Sequence, residues 1–165
     1  MLQIFGAKNA HSRSLLTYVF QLQHPGLPLP NLAFQSEGKP YFPDYPAFHF
    51  SLSHTGSLTL CAVDAAPLGI DIEEITPRPE ALIRYTLTDE EYAAYRNLGK
   101  TWVGFYQLWT KKEAWCKLTG HGIGATLRTT PPEEGLLHRS YHGDGWIATL
   151  CTVSPPPKEI QWVEP

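Results

Sequence analysis

Cysteine is scarce: the 165 residues hold three, Cys61, Cys116 and Cys151. They are odd in number, far apart and in no paired spacing. That argues against a disulfide framework and against a zinc site, and for a reducing cytoplasm. An excess of positive charge is also missing. The net charge of −3 lacks the global basic footprint of a nucleic-acid binder, so an acidic partner would have to be met by a local basic patch. No apolar run approaches the roughly 18 residues of a membrane span. Residues 1–23 show no charged segment followed by an apolar one, so no signal peptide is expected. There is no internal repeat and no low-complexity tract.

What is present is a globular balance, 42% hydrophobic and 18% charged with five tryptophans, over a length that suits one domain or two small lobes sharing a core. Residues 12–22 carry Leu15, Leu16, Val19 and Phe20 at helical spacing. The Pro- and Gly-rich stretch 24–46 reads as loop. Residues 48–52 alternate as a strand, Ser53-His54-Thr55-Gly56 reads as a turn, and residues 57–63 and 68–72 read as two further strands of an antiparallel meander. Thr88 with Glu91 forms a capping box at the start of a helix that Gly99 stops. Residues 102–119 form the longest helix, ended by Gly120 and Gly122. Residues 136–141 and 146–153 form a hairpin around His142-Gly143-Asp144-Gly145, and residues 160–163 a last short strand. The fold class is α+β, with antiparallel strands packed on one long helix.

Three runs carry chemistry. In the strand Gly69-Ile70-Asp71-Ile72-Glu73, period two sends Asp71 and Glu73 to one face and Leu68, Ile70 and Ile72 to the other, with Gly69 leaving room beside Asp71. On the long helix, Trp109, Glu113 and Lys117 stand at i, i+4, i+8, flanked by Lys112 and Cys116. Taken alone, each run reads as a solvated face: an edge strand, or a Glu113–Lys117 surface pair worth about 0.3–0.5 kcal/mol. If helix crosses strand, Asp71, Glu73 and Glu113 become a three-carboxylate cluster that needs a cation. Its hard oxygens suit Mg²⁺, and Mn²⁺ also. The third run, 48–56, ends in Ser53 and His54, a candidate phosphate cradle or a plain polar hairpin end.

These runs, in this order, resemble the 4′-phosphopantetheinyl transferase superfamily. The match covers Ser53-His54, then Gly69-x-Asp71-x-Glu73, then Trp109-x-x-Lys112-Glu113-Ala114-x-x-Lys117, with Gly38-Lys39-Pro40 and a helix bearing Arg13 and Ser14 upstream. It spans residues 10–124. The resemblance implies two pseudo-symmetric subdomains, a shortened N-terminal one at 1–66 and one carrying the metal site at 67–165. It implies a surfactin-synthetase-type enzyme, a cytoplasmic monomer rather than a trimer, with no nucleic acid or membrane partner. Its substrates would be coenzyme A and an apo acyl or peptidyl carrier protein, docked near residues 85–105. Asp71, Glu73 and Glu113 would hold Mg²⁺. Glu113 or a metal-bound water would take the serine proton, and Lys112 and Lys117 would meet phosphate oxygens. Ser53 and His54 would hold phosphate, Lys39 and Gly38 would line the nucleotide pocket, and Lys8, Arg13 or Ser14 would replace the missing upstream basic stretch. Ser51 stands where the family often has Asn. Two other readings use the same residues: a Mg²⁺-dependent phosphohydrolase, and a non-catalytic module that binds coenzyme A or a carrier.

Overall fold

The computed structural model describes residues 1–122, 124 and 129–165; residue 123, inside the span of the resemblance, lies outside them. Its elements run β1 (Gln3–Lys8), α1 (Ser12–Gln23), β2 (Ala33–Phe34), β3 (Pro40–Tyr41), β4 (His49–Thr55), β5 (Leu58–Asp64), β6 (Leu68–Glu74), α2 (Glu80–Thr86), α3 (Asp89–Asn97), α4 (Trp102–Thr119), β7 (Leu137–Gly143), β8 (Trp146–Thr152) and β9 (Gln161–Trp162). Strands β4-β5-β1-β9 form one sheet, β6-β8-β7 a second, and β2-β3 a small hairpin. The pairings are antiparallel except β1 with β9.

Period-two alternation builds the layers. Phe5, Ala7, Phe48, Phe50, Cys61 and Val63 face α1 through its Leu15, Leu16, Val19 and Phe20. The opposite faces of β1 and β5, with Ile4, Leu58, Leu60 and Ala62, meet Leu68, Ile70, Ile72, Ala148 and Leu150 of the second sheet. The far face of that sheet receives α4. The order is therefore α1, sheet, sheet, α4, and the carboxylate face of β6 is turned to the helix.

Two features hold α4 where it is. Gly69 lacks a side chain where a Cβ would stand 2.0 Å from Ala114 O and 2.4 Å from Leu118 N, so the helix backbone rests directly on β6. Behind it, Thr110 Oγ1 hydrogen-bonds Thr149 Oγ1 on β8 at 2.7 Å. The seam between β4 and β6 is joined by side chains. The N–H groups of Ile70, Ile72 and Glu74 donate to the hydroxyls of Ser51, Ser53 and Thr55 at 3.0, 3.2 and 3.2 Å.

Several expectations change. Residues 53–55 are strand, because the β4–β5 turn is only Gly56-Ser57, with Thr55 opposite Leu58 and Gly56 at φ +51°. β1 is buried on both faces and gave no alternation to read. The stretch 24–46 holds the β2–β3 hairpin. The capping box of Thr88 and Glu91 is present, as are the 102–119 helix with its left-handed Gly120 cap and the last short strand.

Candidate active site

The α4–β6 crossing gathers six of the expected side chains. Lys117 Nζ donates to Asp71 Oδ1 at 2.7 Å and to Ser53 Oγ at 2.9 Å. Ser53 Oγ donates to Asp71 Oδ1 at 2.8 Å and accepts Ile72 N–H. A hydroxyl has one donor and two acceptor sites, so Ser53 is saturated: it orients Asp71 and Lys117 and has no bond left for phosphate. Trp109 Nε1 donates to Glu73 Oε1 at 3.4 Å. Glu113, between Trp109 and Lys117 on the same stripe, lines a cavity of about 290 Å³ with Gly38, Lys39, Pro40, Ser51 and Lys117.

The carboxylates repel one another here. Burial, then the charge of Asp71, pushes the Glu113 carboxyl up to about 7, and the same two causes raise Glu73. Among the described residues no group of three or more His, Cys, Asp or Glu side chains is arranged to hold a metal ion. One oxygen of Asp71 is bonded by Lys117 and one of Glu73 by Trp109. Two observations still suit a hard cation. Asp71 Oδ2 is buried with no hydrogen-bond partner among the described residues, and Mg²⁺ commonly uses only one or two carboxylates, completed by substrate phosphate and water.

The Glu113 shift has a stability consequence. Its folded carboxyl keeps a proton up to about 7, while the unfolded chain releases it near 4.5. Its contribution is therefore full below the unfolded value and lost as pH rises through the folded one. In EDTA, the Tm of the wild type should fall between these values, and Glu113→Gln should flatten that part of the profile; superimposable profiles would contradict the shift.

The other expected residues lie elsewhere. His54 follows Ser53 in a strand and so points to the opposite face. It is exposed and borders a second cavity of about 380 Å³ with Asn9, His11, Ser12 and Thr59. That cavity opens on the first turn of α1, which has no side-chain cap and no acidic residue in its first turn. Arg13 and Ser14 are exposed on the same turn and line neither cavity. Lys112 corrects the reading that it meets phosphate. Its side chain is 0% exposed and its Nζ donates to Glu91 Oε2 at 2.6 Å and Thr86 O at 2.8 Å. One position off the stripe turns a helical side chain by about 100°, which sends it into the core beneath α2 and α3. Sequence reasoning found Glu91 only as a cap, since nothing local links it to Lys112. It missed Glu37, whose carboxylate accepts Gly122 N–H at 2.9 Å beside the first cavity. A wider cleft, about 1300 Å³, is lined by Lys8, Glu74, Trp146 and Trp162 and touches none of the carboxylate-site residues Asp71, Glu73 and Glu113.

The chain matches the family model of the 4′-phosphopantetheinyl transferase superfamily over residues 67–156. It is 36% identical over 149 residues to 4′-phosphopantetheinyl transferase psf-1 of Bacillus pumilus, covering 78% of this chain and 64% of that protein. It is 32% identical over 117 residues to 4′-phosphopantetheinyl transferase Sfp of Bacillus subtilis (strain 168), covering 70% and 51%. It is 38% identical over 116 residues to 4′-phosphopantetheinyl transferase HetI of Nostoc sp., covering 63% and 49%. It thus spans between about half and just under two thirds of the length of these relatives.

Proposed function

The chain belongs to the 4′-phosphopantetheinyl transferase superfamily, and on that premise we propose that it transfers 4′-phosphopantetheine from coenzyme A to a serine of an apo acyl or peptidyl carrier protein. The observation that carries this reading is the Ser53–Asp71–Lys117 junction with Glu113 alongside it on a cavity wall. The Lys117 ammonium and the Glu113 carboxyl line the cavity that would take the donor, which supports roles as cation and proton acceptor.

In the reaction, the serine Oγ forms a bond to the β-phosphorus of coenzyme A. The bond from that phosphorus to the oxygen of the leaving 3′,5′-ADP breaks, and the serine proton passes to Glu113. Glu113 stands on the cavity wall beside Lys117, and a carboxylate so placed suits the role of general base. Lys117, held by Asp71 and Ser53, offers its ammonium to phosphate oxygens as charge develops. Asp71, Glu73 and Glu113 would hold Mg²⁺, which when bound polarises phosphate oxygens and offsets their charge. Gly38 and Lys39, on the wall of the same cavity, would line the nucleotide pocket. His54 and the open first turn of α1, with Arg13 and Ser14, offer donors and positive charge to the remaining phosphates.

Tyr85, Leu98 and Val103 leave apolar surface exposed along α2 to α4, which supports carrier docking there. Tyr95 belongs to a buried core cluster, and Tyr92 and Trp102 pack against that cluster. We also propose a division into lobes at 66/67, a monomer, and a cytoplasmic location. Among the described residues no helix is long and apolar enough to cross a membrane.

The test is to mix the purified chain with coenzyme A, Mg²⁺ and a panel of apo carrier proteins and to read intact masses. One phosphopantetheine should appear on a carrier, fail to appear in EDTA, and appear about 10²-fold more slowly with Glu113→Gln. Coenzyme A binding with no gain on any carrier overturns transfer and leaves the binding module. Breakdown of coenzyme A without a carrier points to the hydrolase.

A further inference from the structure

Lys39 is a half-buried lysine whose ammonium is spent on two backbone carbonyls. It donates to Leu118 O at 2.7 Å and to Leu68 O at 3.4 Å. Leu118 follows Lys117 on α4, and Leu68 precedes Gly69 on β6. The ammonium therefore spans the crossing at which Gly69 admits the helix backbone. One further contact ties the same hairpin to the residues after α4: Glu37 accepts Gly122 N–H at 2.9 Å. An ammonium has three donors, and satisfying the last carbonyls of a helix is a recognised use of lysine.

We propose that Lys39 is a positioning residue that clamps α4 to β6 and so fixes Lys117 against Asp71. The β2–β3 hairpin then does two things at once. It walls the cavity with Gly38 and Pro40, and it sets the geometry at the reacting end. Displacement of the hairpin, by ligand or by mutation, is passed to Lys117 chiefly through the Lys39 side chain. The catalytic consequence rests on the transferase reading; the clamp itself does not.

The experiment compares wild type, Lys39→Met and Lys39→Arg by amide hydrogen exchange and by steady-state transfer. Lys39→Met should speed exchange at residues 116–120 and 68–71. It should lower kcat about tenfold or more while the KM for coenzyme A stays within about twofold, since a small misplacement acts on the reacting geometry. Lys39→Arg, which keeps donors for both carbonyls, should recover most of both. Unchanged exchange at those amides overturns the clamp. So does a KM for coenzyme A raised about tenfold with kcat intact, which would make Lys39 a nucleotide ligand. If the wild type transfers nothing, the transferase reading fails by itself, and the exchange comparison still decides the clamp. If Lys39→Met does not fold, Glu37→Ala, which loosens the Gly122 anchor, should speed exchange at residues 116–120; its failure to do so overturns the proposal.

Discussion

Gly69→Ala is expected to destabilise the protein by about 3 kcal/mol or more and to bring carrier modification below detection. The reason is space alone. The added Cβ would meet Ala114 O at 2.0 Å, Leu118 N at 2.4 Å and Lys117 C at 3.0 Å. All three are backbone atoms, so no rotamer change relieves the collision. Either α4 lifts from β6 or β6 bends away, and both movements part Lys117 from Asp71. Glu113 sits on the lifted segment and moves with it. Gly122→Ala is the control, since a Cβ there meets nothing within 4 Å among the described residues and should cost within about 0.5 kcal/mol. Urea midpoints and initial transfer rates measure both. A Gly69→Ala variant with native stability and rate would mean that helix and strand do not touch as described.

Lys112→Met should cost about 3–5 kcal/mol, the range for removing one member of a buried ion pair. The ammonium is wholly enclosed and reaches both Glu91 and Thr86 O. Without it, the Glu91 carboxylate stays buried as an anion whose remaining bond from Thr88 N–H, at 2.9 Å, is part of the capping box. The loss therefore spreads from α4 to the start of α3. Adding Glu91→Gln removes the stranded charge and should recover part of the stability. A double-mutant cycle from urea unfolding reads the coupling. Two losses that simply add would show that the pair is not a unit.

Local periodicity made half of this site legible. Period two separated Asp71 and Glu73 from Ile70 and Ile72, and the i, i+4, i+8 spacing aligned Trp109, Glu113 and Lys117. The meeting of strand and helix was beyond any local pattern, because it depends on Gly69 letting the two backbones touch. Lys112 shows the opposite failure. It belongs to the same motif as Glu113, yet the helical turn between adjacent residues sends it to the other side. Ser53 and His54 parted for a related reason: a two-residue hairpin loop left them in a strand, where neighbours face opposite ways. The partners of Lys39 are 29 and 79 residues away, and no spacing in the chain points to them.

The three hydroxyls along β4 impose a discrete alignment on the two sheets. Each of Ser51, Ser53 and Thr55 meets an N–H two residues further along β6 than the one before. The next equivalent match lies two residues away, about 7 Å. A smaller slip would leave three amides unpaired at the same time. The seam thus acts as a ratchet that blocks shear.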